Sequence, residues 1–420
     1  LGKEQPYCFK MPTLHSVLCQ CWDKGAVPQD LRDANIVTLY KNKGDRSDCN
    51  NYRGISLLSV VGKVFARVIL NRLQKLADGV YPESQYGFRA GRSTTDMFFS
   101  LRQLQEKCRE QHKPLFLAFI DLTKAFDLVN RDGLFKILVK VGCLPKLLSV
   151  IQSFHDNMKG TVLYDGSSSD AFDIHSGVKQ GCVLAPTLFG IFFAALLKRA
   201  FGNSTEGVYL HTRSDGRLFN LARLKAKSKV WEATIRDMLF ADDAALATDT
   251  ETDLQHLIDR FSRACEEFGL TISLQKTKVM AQDAEHPSIA INDYVLEVVS
   301  QFTYLGSTIT DNLSLDPEIN RRIGKAFTIL ARLSQRVWNN NMLTINTKVA
   351  VYRACVLNTL LYASETWTLY ASQEKRLNTF HMRSLRRILG ITWSDRIMNN
   401  EVLERAKISS MFTLLRQRRL

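Results

Sequence analysis

The sequence has 420 residues, 45% of them apolar and 23% charged, with 56 basic against 42 acidic side chains and a formal net charge of +14. These proportions exclude a disordered or collagen-like chain and leave room for two or three domains around a sizeable core. The positive excess points to a polyanionic partner, nucleic acid or an anionic membrane surface, whereas no apolar run reaches the roughly 18 residues of a membrane span.

The N-terminus, Leu1-Gly2-Lys3-Glu4, carries neither an initiator Met nor a signal peptide. The C-terminus, Arg416-Gln417-Arg418-Arg419-Leu420, stops inside a helical pattern, so a piece of a longer protein is expected. The 9 cysteines are scattered without a C-x-x-C pair and read as reduced thiols of an intracellular protein. Residues 59–76 predict an amphipathic helix with Val64, Val68 and Leu73 on its apolar side and Lys63, Arg67, Arg72 and Lys75 between them. A loop follows at 86–93, with Thr94 or Thr95 as N-cap of the next helix. Residues 115–120, bounded by Pro114 and Asp121, read as a buried strand. Residues 134–148 read as a helix broken near Gly142 and Pro145, and Asp165-Gly166 as the turn of a hairpin. Residues 186–200 form an apolar helix. Residues 201–234, with Arg213, Arg217, Arg223, Lys225, Lys227 and Lys229, read as a basic surface insertion. Two apolar runs in 238–247 flank Asp242-Asp243, and a helix over 254–268 closes at Gly269. Strands are expected at 289–291 and 302–305. From residue 311 the pattern is helical, with 18 Lys and Arg against 8 Asp and Glu. Phe327, Leu330 and Leu333 read as its packed face, and Trp338, Trp367 and Trp393 as core. The histidines have no ligand spacing and read as structural.

The chemistry concentrates in Phe240-Ala241-Asp242-Asp243-Ala244. Two adjacent carboxylates in an apolar segment cost several kcal/mol unless a cation neutralises them. Hard divalent ions prefer such oxygens and keep positions open for phosphate. Asp121 ends the apolar run Phe119-Ile120 and meets that pair if the two strands are neighbours. Three acids would then hold two metals about 3.5 to 4 Å apart, the geometry of phosphoryl transfer. The structural alternatives are an exposed Asp-Asp turn and a helix cap at Asp121.

The order of these segments resembles the reverse transcriptase of a non-LTR (LINE-type) retrotransposon, encoded within an endonuclease–reverse transcriptase polyprotein. The resemblance rests on Asn51-Tyr52-Arg53-Gly54-Ile55-Ser56, with Gly54 where Pro is usual, and on Tyr86-Gly87-Phe88-Arg89 with Gly91-Arg92-Ser93-Thr94. It continues through residues 119–127 (motif A), Gly177-Val178-Lys179-Gln180-Gly181-Cys182 (motif B), residues 240–243 (motif C), 269–278 (motif D) and Tyr304-Leu305-Gly306 (motif E). It implies an α+β, right-hand polymerase fold: fingers over 1–112, a palm of antiparallel sheet plus helices over 113–310, and a helical, basic thumb over 311–420. It implies an RNA-directed DNA polymerase using two Mg2+ ions, with Mn2+ as a substitute. Its partners would be an RNA template, a DNA primer and deoxynucleoside triphosphates, in nucleus and cytoplasm and without a membrane. Asp121, Asp242 and Asp243 match the metal-binding acids, the first two bridging the metals. Phe126 falls at the aromatic steric gate against a ribose 2′-hydroxyl. Gln180 and Gly181 line the incoming nucleotide and the templating base. Arg53 grips the triphosphate, with Lys41 as a second candidate. Lys276 or Lys278 protonates pyrophosphate, a choice that spacing leaves open. Ser273 stands where many relatives carry Asn. Arg89 and Arg92 would meet template phosphates, and Arg321, Arg322 and Lys325 the duplex backbone. A viral-type RNA polymerase is disfavoured by Phe126. A catalytically inactive or domesticated fragment that only binds nucleic acid is disfavoured by the presence of all three acids.

Overall fold

The computed structural model describes residues 11–42, 44–213 and 230–419. An antiparallel sheet runs in the order Asp237–Phe240, Asp243–Thr248, Leu115–Ile120, Lys278–Gln282, with Glu297–Val298 added parallel at one edge. The central strand, Leu-Phe-Leu-Ala-Phe-Ile, is apolar at every position because both of its faces are covered. Phe116, Ala118 and Ile120 enter the larger core beside the helices Ala185–Phe201 and Glu251–Phe268. Leu115, Leu117 and Phe119 enter a second core with Met97, Phe98 and Leu101 of the helix Thr94–Glu110. The strand period of two thus sorts one sequence into two interiors. The fold is α+β with a central antiparallel sheet, as expected.

A second sheet pairs Ala34–Tyr40 antiparallel with Tyr52–Leu57 and parallel with Lys159–Tyr164. Phe65, Ile69 and Leu73 share the larger core with the central sheet. The C-terminal helices, among them Asp316–Arg332 and Ala371–Leu389, surround a separate core containing Ile319, Leu330, Tyr352 and Leu377. Among the described residues, no helix is long and apolar enough to cross a membrane, and the described cysteines are all free.

Several local expectations need correction. In the helix Val60–Val80 the buried stripe is Phe65, Ile69 and Leu73, whereas Val64 and Val68 are exposed. Both stripes satisfy helical spacing, and the one with Phe and Ile removes more apolar area from water. The N-cap of Thr94–Glu110 is Ser93, because Asp96 completes a capping box with it. Trp338 and Trp367 are buried, but Trp393 is 91% exposed, in a turn beyond the helix end at Gly390. Phe327 also faces outward, while Leu330 is buried. The expected surface insertion begins and ends as a paired hairpin, Val208–Arg213 with Val230–Ile235, whose Val208 and Leu210 are buried. Arg217, Arg223, Lys225, Lys227 and Lys229 lie outside the described residues.

Candidate functional site

The three acids come together at one end of the central sheet. Ile120 pairs with Ala244, so Asp121, one residue further, comes level with Asp243. Phe240 pairs with Asp243, and the tight turn between them consists of Ala241 and Asp242. Asp121 and Asp243, far apart in sequence, are therefore neighbours because two adjacent antiparallel strands bring them together. Backbone contacts pin Asp121: its N–H donates to Thr277 Oγ1 at 3.4 Å, and its carbonyl accepts from the Ser273 N–H at 2.8 Å. The position of Ser273 thus acts through its main chain.

Burial and neighbouring charge raise two of the acids. Burial raises the Asp242 carboxyl, and the charge of Asp121 adds to this, against the pull of Arg53 and Lys276. Burial, then Asp242 and Asp121, push Asp243 up to about 7, with Lys276 opposing. Carboxylates raised by burial and by one another's charge are stabilised by a cation, and a set of carboxylate oxygens suits a hard divalent one. The Lys276 ammonium donates to Asp121 Oδ1 at 2.9 Å. As the side chains stand, no three His, Cys, Asp or Glu among the described residues form a ready metal cluster.

The other expected residues divide. Arg53, on the strand Tyr52–Leu57, is exposed and lends its field to Asp242. Lys41 donates instead to the Asn50 carbonyl of its own loop, at 2.8 Å. Lys276 lies at the acids, whereas Lys278 pairs with Glu297 at 2.5 Å. Phe126 is half-buried and stacks on Phe189, ring centroids 4.5 Å apart. Three backbone bonds tie the 177–182 loop to its neighbours: the Gly177 N–H to the Val129 carbonyl at 2.9 Å, and the Val178 N–H to the Phe126 carbonyl and the Ser56 N–H to the Gln180 carbonyl, both at 2.8 Å. Gly181 has φ +104°, and a Cβ there would lie 2.8 Å from the Ser56 carbonyl oxygen. Arg89 and Arg92 both reach Glu83, and Arg92 also lies over the Tyr86 ring. Lys325 is exposed, and Arg321 donates to the Thr303 and Thr308 hydroxyls. Arg322, expected at the duplex backbone, is buried against Glu318 Oε1 at 2.6 Å and donates to the Gly306 carbonyl.

Three further residues support the site. Arg131 donates to the carbonyls of His155, Ile174, Ser176 and Gly177 and so ties down the 177–182 loop. Buried Lys179 donates to the Arg32 and Phe154 carbonyls, and burial lowers it to about 8. The buried amide of Gln85 reaches the Ala241 turn. Gln85 directly precedes the Tyr86-Gly87-Phe88-Arg89 segment, but nothing local in the sequence names its partner.

Residues 40–309 match the family described as reverse transcriptase (RNA-dependent DNA polymerase). The RNA-directed DNA polymerase from mobile element jockey of Drosophila melanogaster is 27% identical, over 90% of this chain and 40% of its own length. The probable RNA-directed DNA polymerase from transposon BS of the same species is 26% identical, over 86% of this chain and 38% of its own. The chain spans about two fifths of the length of these curated relatives. Among solved structures, telomerase from Candida Tropicalis in complex with a TWJ fragment of telomeric RNA aligns with 94% of this chain and 67% of its own, at 12% identity and TM-score 0.48.

Proposed function

Because the chain belongs to the reverse transcriptase (RNA-dependent DNA polymerase) family, we propose that it extends a primer 3′-hydroxyl with deoxynucleotides on an RNA template, as the polymerase part of a non-LTR retrotransposon protein. One observation carries this reading: Asp121 comes level with Asp243 across adjacent strands, with Asp242 in the turn that joins Phe240 to Asp243. In this reading residues 1–112 are fingers, 113–310 palm and 311–420 thumb.

Asp121, Asp242 and Asp243 would hold two Mg2+ ions, which when bound supply positive charge at the reacting phosphate and lower the pKa of the attacking hydroxyl. Arg53 suits the triphosphate, since a guanidinium fork makes paired bonds to phosphate oxygens. Lys276 supplies the proton that the leaving pyrophosphate takes up, and its place beside Asp121 supports it over Lys278. Phe126, backed by Phe189, closes the space a ribose 2′-hydroxyl needs. Gln180 and Gly181 border the nucleotide and templating base. Lys325, Arg321, Arg89 and Arg92 would contact template and duplex phosphates in a salt-sensitive, sequence-tolerant way.

The test is dTTP incorporation on poly(rA)/oligo(dT) with Mg2+, comparing the wild type with Asp242→Asn. Incorporation by the wild type and a loss of at least about 1,000-fold in a folded variant are expected, since the acid acts on the transferred charge itself. Binding of primer–template without incorporation by either protein would show a fragment that only binds nucleic acid.

A further inference from the structure

The turn that carries Asp242 is held from outside the sheet. Residues 84–86 run parallel to the strand Asp237–Phe240: the Leu239 N–H donates to the Ser84 carbonyl at 3.0 Å, and the Tyr86 N–H to the Leu239 carbonyl at 2.8 Å. Between these bonds lies Gln85, only 2% exposed. Its Oε1 accepts two N–H groups, that of Gly87 at 2.8 Å and that of Ala241 at 3.1 Å.

Ala241 has φ +58°, a left-handed conformation that costs a residue with a Cβ and favours glycine in two-residue hairpins. Such strain persists only where the surroundings over-determine it. Here they do. A Cβ on Gly87 would lie 2.3 Å from the Ala241 nitrogen and 3.0 Å from the Phe240 carbonyl carbon, so the backbone of residue 87 presses on the turn as only glycine can. Without the Gln85 carbonyl, the buried Ala241 N–H would lose the acceptor that holds it in this conformation.

We propose that Gln85 is the positioning residue of this turn: its side-chain carbonyl holds the Ala241 N–H and so fixes the Asp242 carboxylate for cation binding and nucleotide transfer. This rests on the function proposed above. It adds a third element, distant in sequence from both acidic strands, to the geometry of the acids. A displacement of about 1 Å can cost on the order of 100-fold in rate, so a single hydrogen bond at the base of the acid has leverage beyond its own strength.

The experiment uses Gln85→Met, which keeps the volume and removes the acceptor, and Gln85→Asn, which keeps the amide and shortens its reach. Two readouts are taken: kcat and KM for dTTP per titrated active site, and Mn2+ binding by titration calorimetry with Asp242→Asn as the blank. The expected result for the methionine variant is a kcat lower by about 10- to 100-fold, a KM for dTTP unchanged within about twofold, and a weaker calorimetric Mn2+ affinity. A residue that only stabilised the fold would reduce the number of active sites and the melting temperature while leaving kcat per site and Mn2+ affinity unaltered, and that result overturns the proposal. Should the methionine variant fail to fold, the asparagine variant is read by the same criteria. A wild type that binds Mn2+ without polymerising would refute the polymerase reading, and the Mn2+ affinities of the variants would still decide the role of Gln85.

Discussion

At the scale of single residues, the site divides into groups whose chemistry is written locally and groups whose role depends on a partner. Phe126 is of the second kind: its ring is stacked on Phe189, centroids 4.5 Å apart, and in the proposed reading that stack backs it against the incoming sugar. Replacing it with Ala should raise ribonucleotide incorporation relative to deoxynucleotide by at least about 10-fold, a difference that a cavity of one ring can supply. Competition between rUTP and dTTP on poly(rA) measures it, and unchanged sugar selectivity would remove the gate. The acids were legible in the sequence because carboxylates inside apolar runs demand a reason. The choice between Lys276 and Lys278 was not, since it turns on Glu297, a residue on a different strand. Gln85 was hidden for the same reason: the N–H it holds lies 156 residues away.

At the scale of elements, the join between the C-terminal helices and the rest depends on a buried ion pair. Glu318 accepts from the Thr308 N–H at 2.7 Å and from Arg322, while Arg322 lies 4.5 Å from the Tyr362 ring centre. Tyr362 in turn donates to the Leu305 carbonyl at 2.9 Å. The helix Asp316–Arg332 is thereby fastened to the hairpin of Gln301–Tyr304 and Ser307–Thr310. Removing one partner strands the other, so Glu318→Ala should cost about 3–5 kcal/mol, read from the urea midpoint. A loss under about 1 kcal/mol, the usual size for an exposed pair, would mean that this junction is not held by the pair. Most elements were legible from period and punctuation, as with the Gly269 helix end, at φ +74°. The errors came where two readings fitted one pattern: Val64 and Val68 offer the same spacing as Phe65 and Ile69, and Arg322 looked like its exposed neighbours. Only packing separates such cases.

At the scale of the whole molecule, stability should depend on buried neutral histidines. His381 is fully buried. Its Nε2 lies 3.3 Å from the Ser409 carbonyl, which needs a proton there, so the Tyr352 hydroxyl donates to Nδ1 at 2.8 Å. Burial lowers His381 from 6.5 to about 4. The folded pKa lies below the unfolded one, so the unfolded chain takes up the proton first. The contribution is complete above about pH 6.5 and is lost as pH falls towards 4, by roughly 3 kcal/mol at about 1.4 kcal/mol per unit. His381→Gln should flatten the fall in unfolding midpoint between pH 6.5 and 4. An equally steep fall would assign the acid sensitivity to other groups. The overall class was legible through the resemblance that the order of the motifs carries, with charge, apolar strands and the acids consistent with it. The division of the core was not, because the alternation that splits the central strand between two interiors is invisible in a run that is apolar throughout.

That strand also carries a cost in time. Leu115–Ile120 has no charge and no proline, and both strands that flank it in the sheet come later in the chain, the first beginning at Asp243. At about 5–20 residues per second, a ribosome takes roughly 6–25 s to deliver that first neighbour. Throughout this interval a six-residue apolar segment, of the kind that seeds intermolecular sheets, is available to other nascent chains. The length that separates the acids in sequence therefore also sets how long the polypeptide depends on dilution or chaperones before its centre can close.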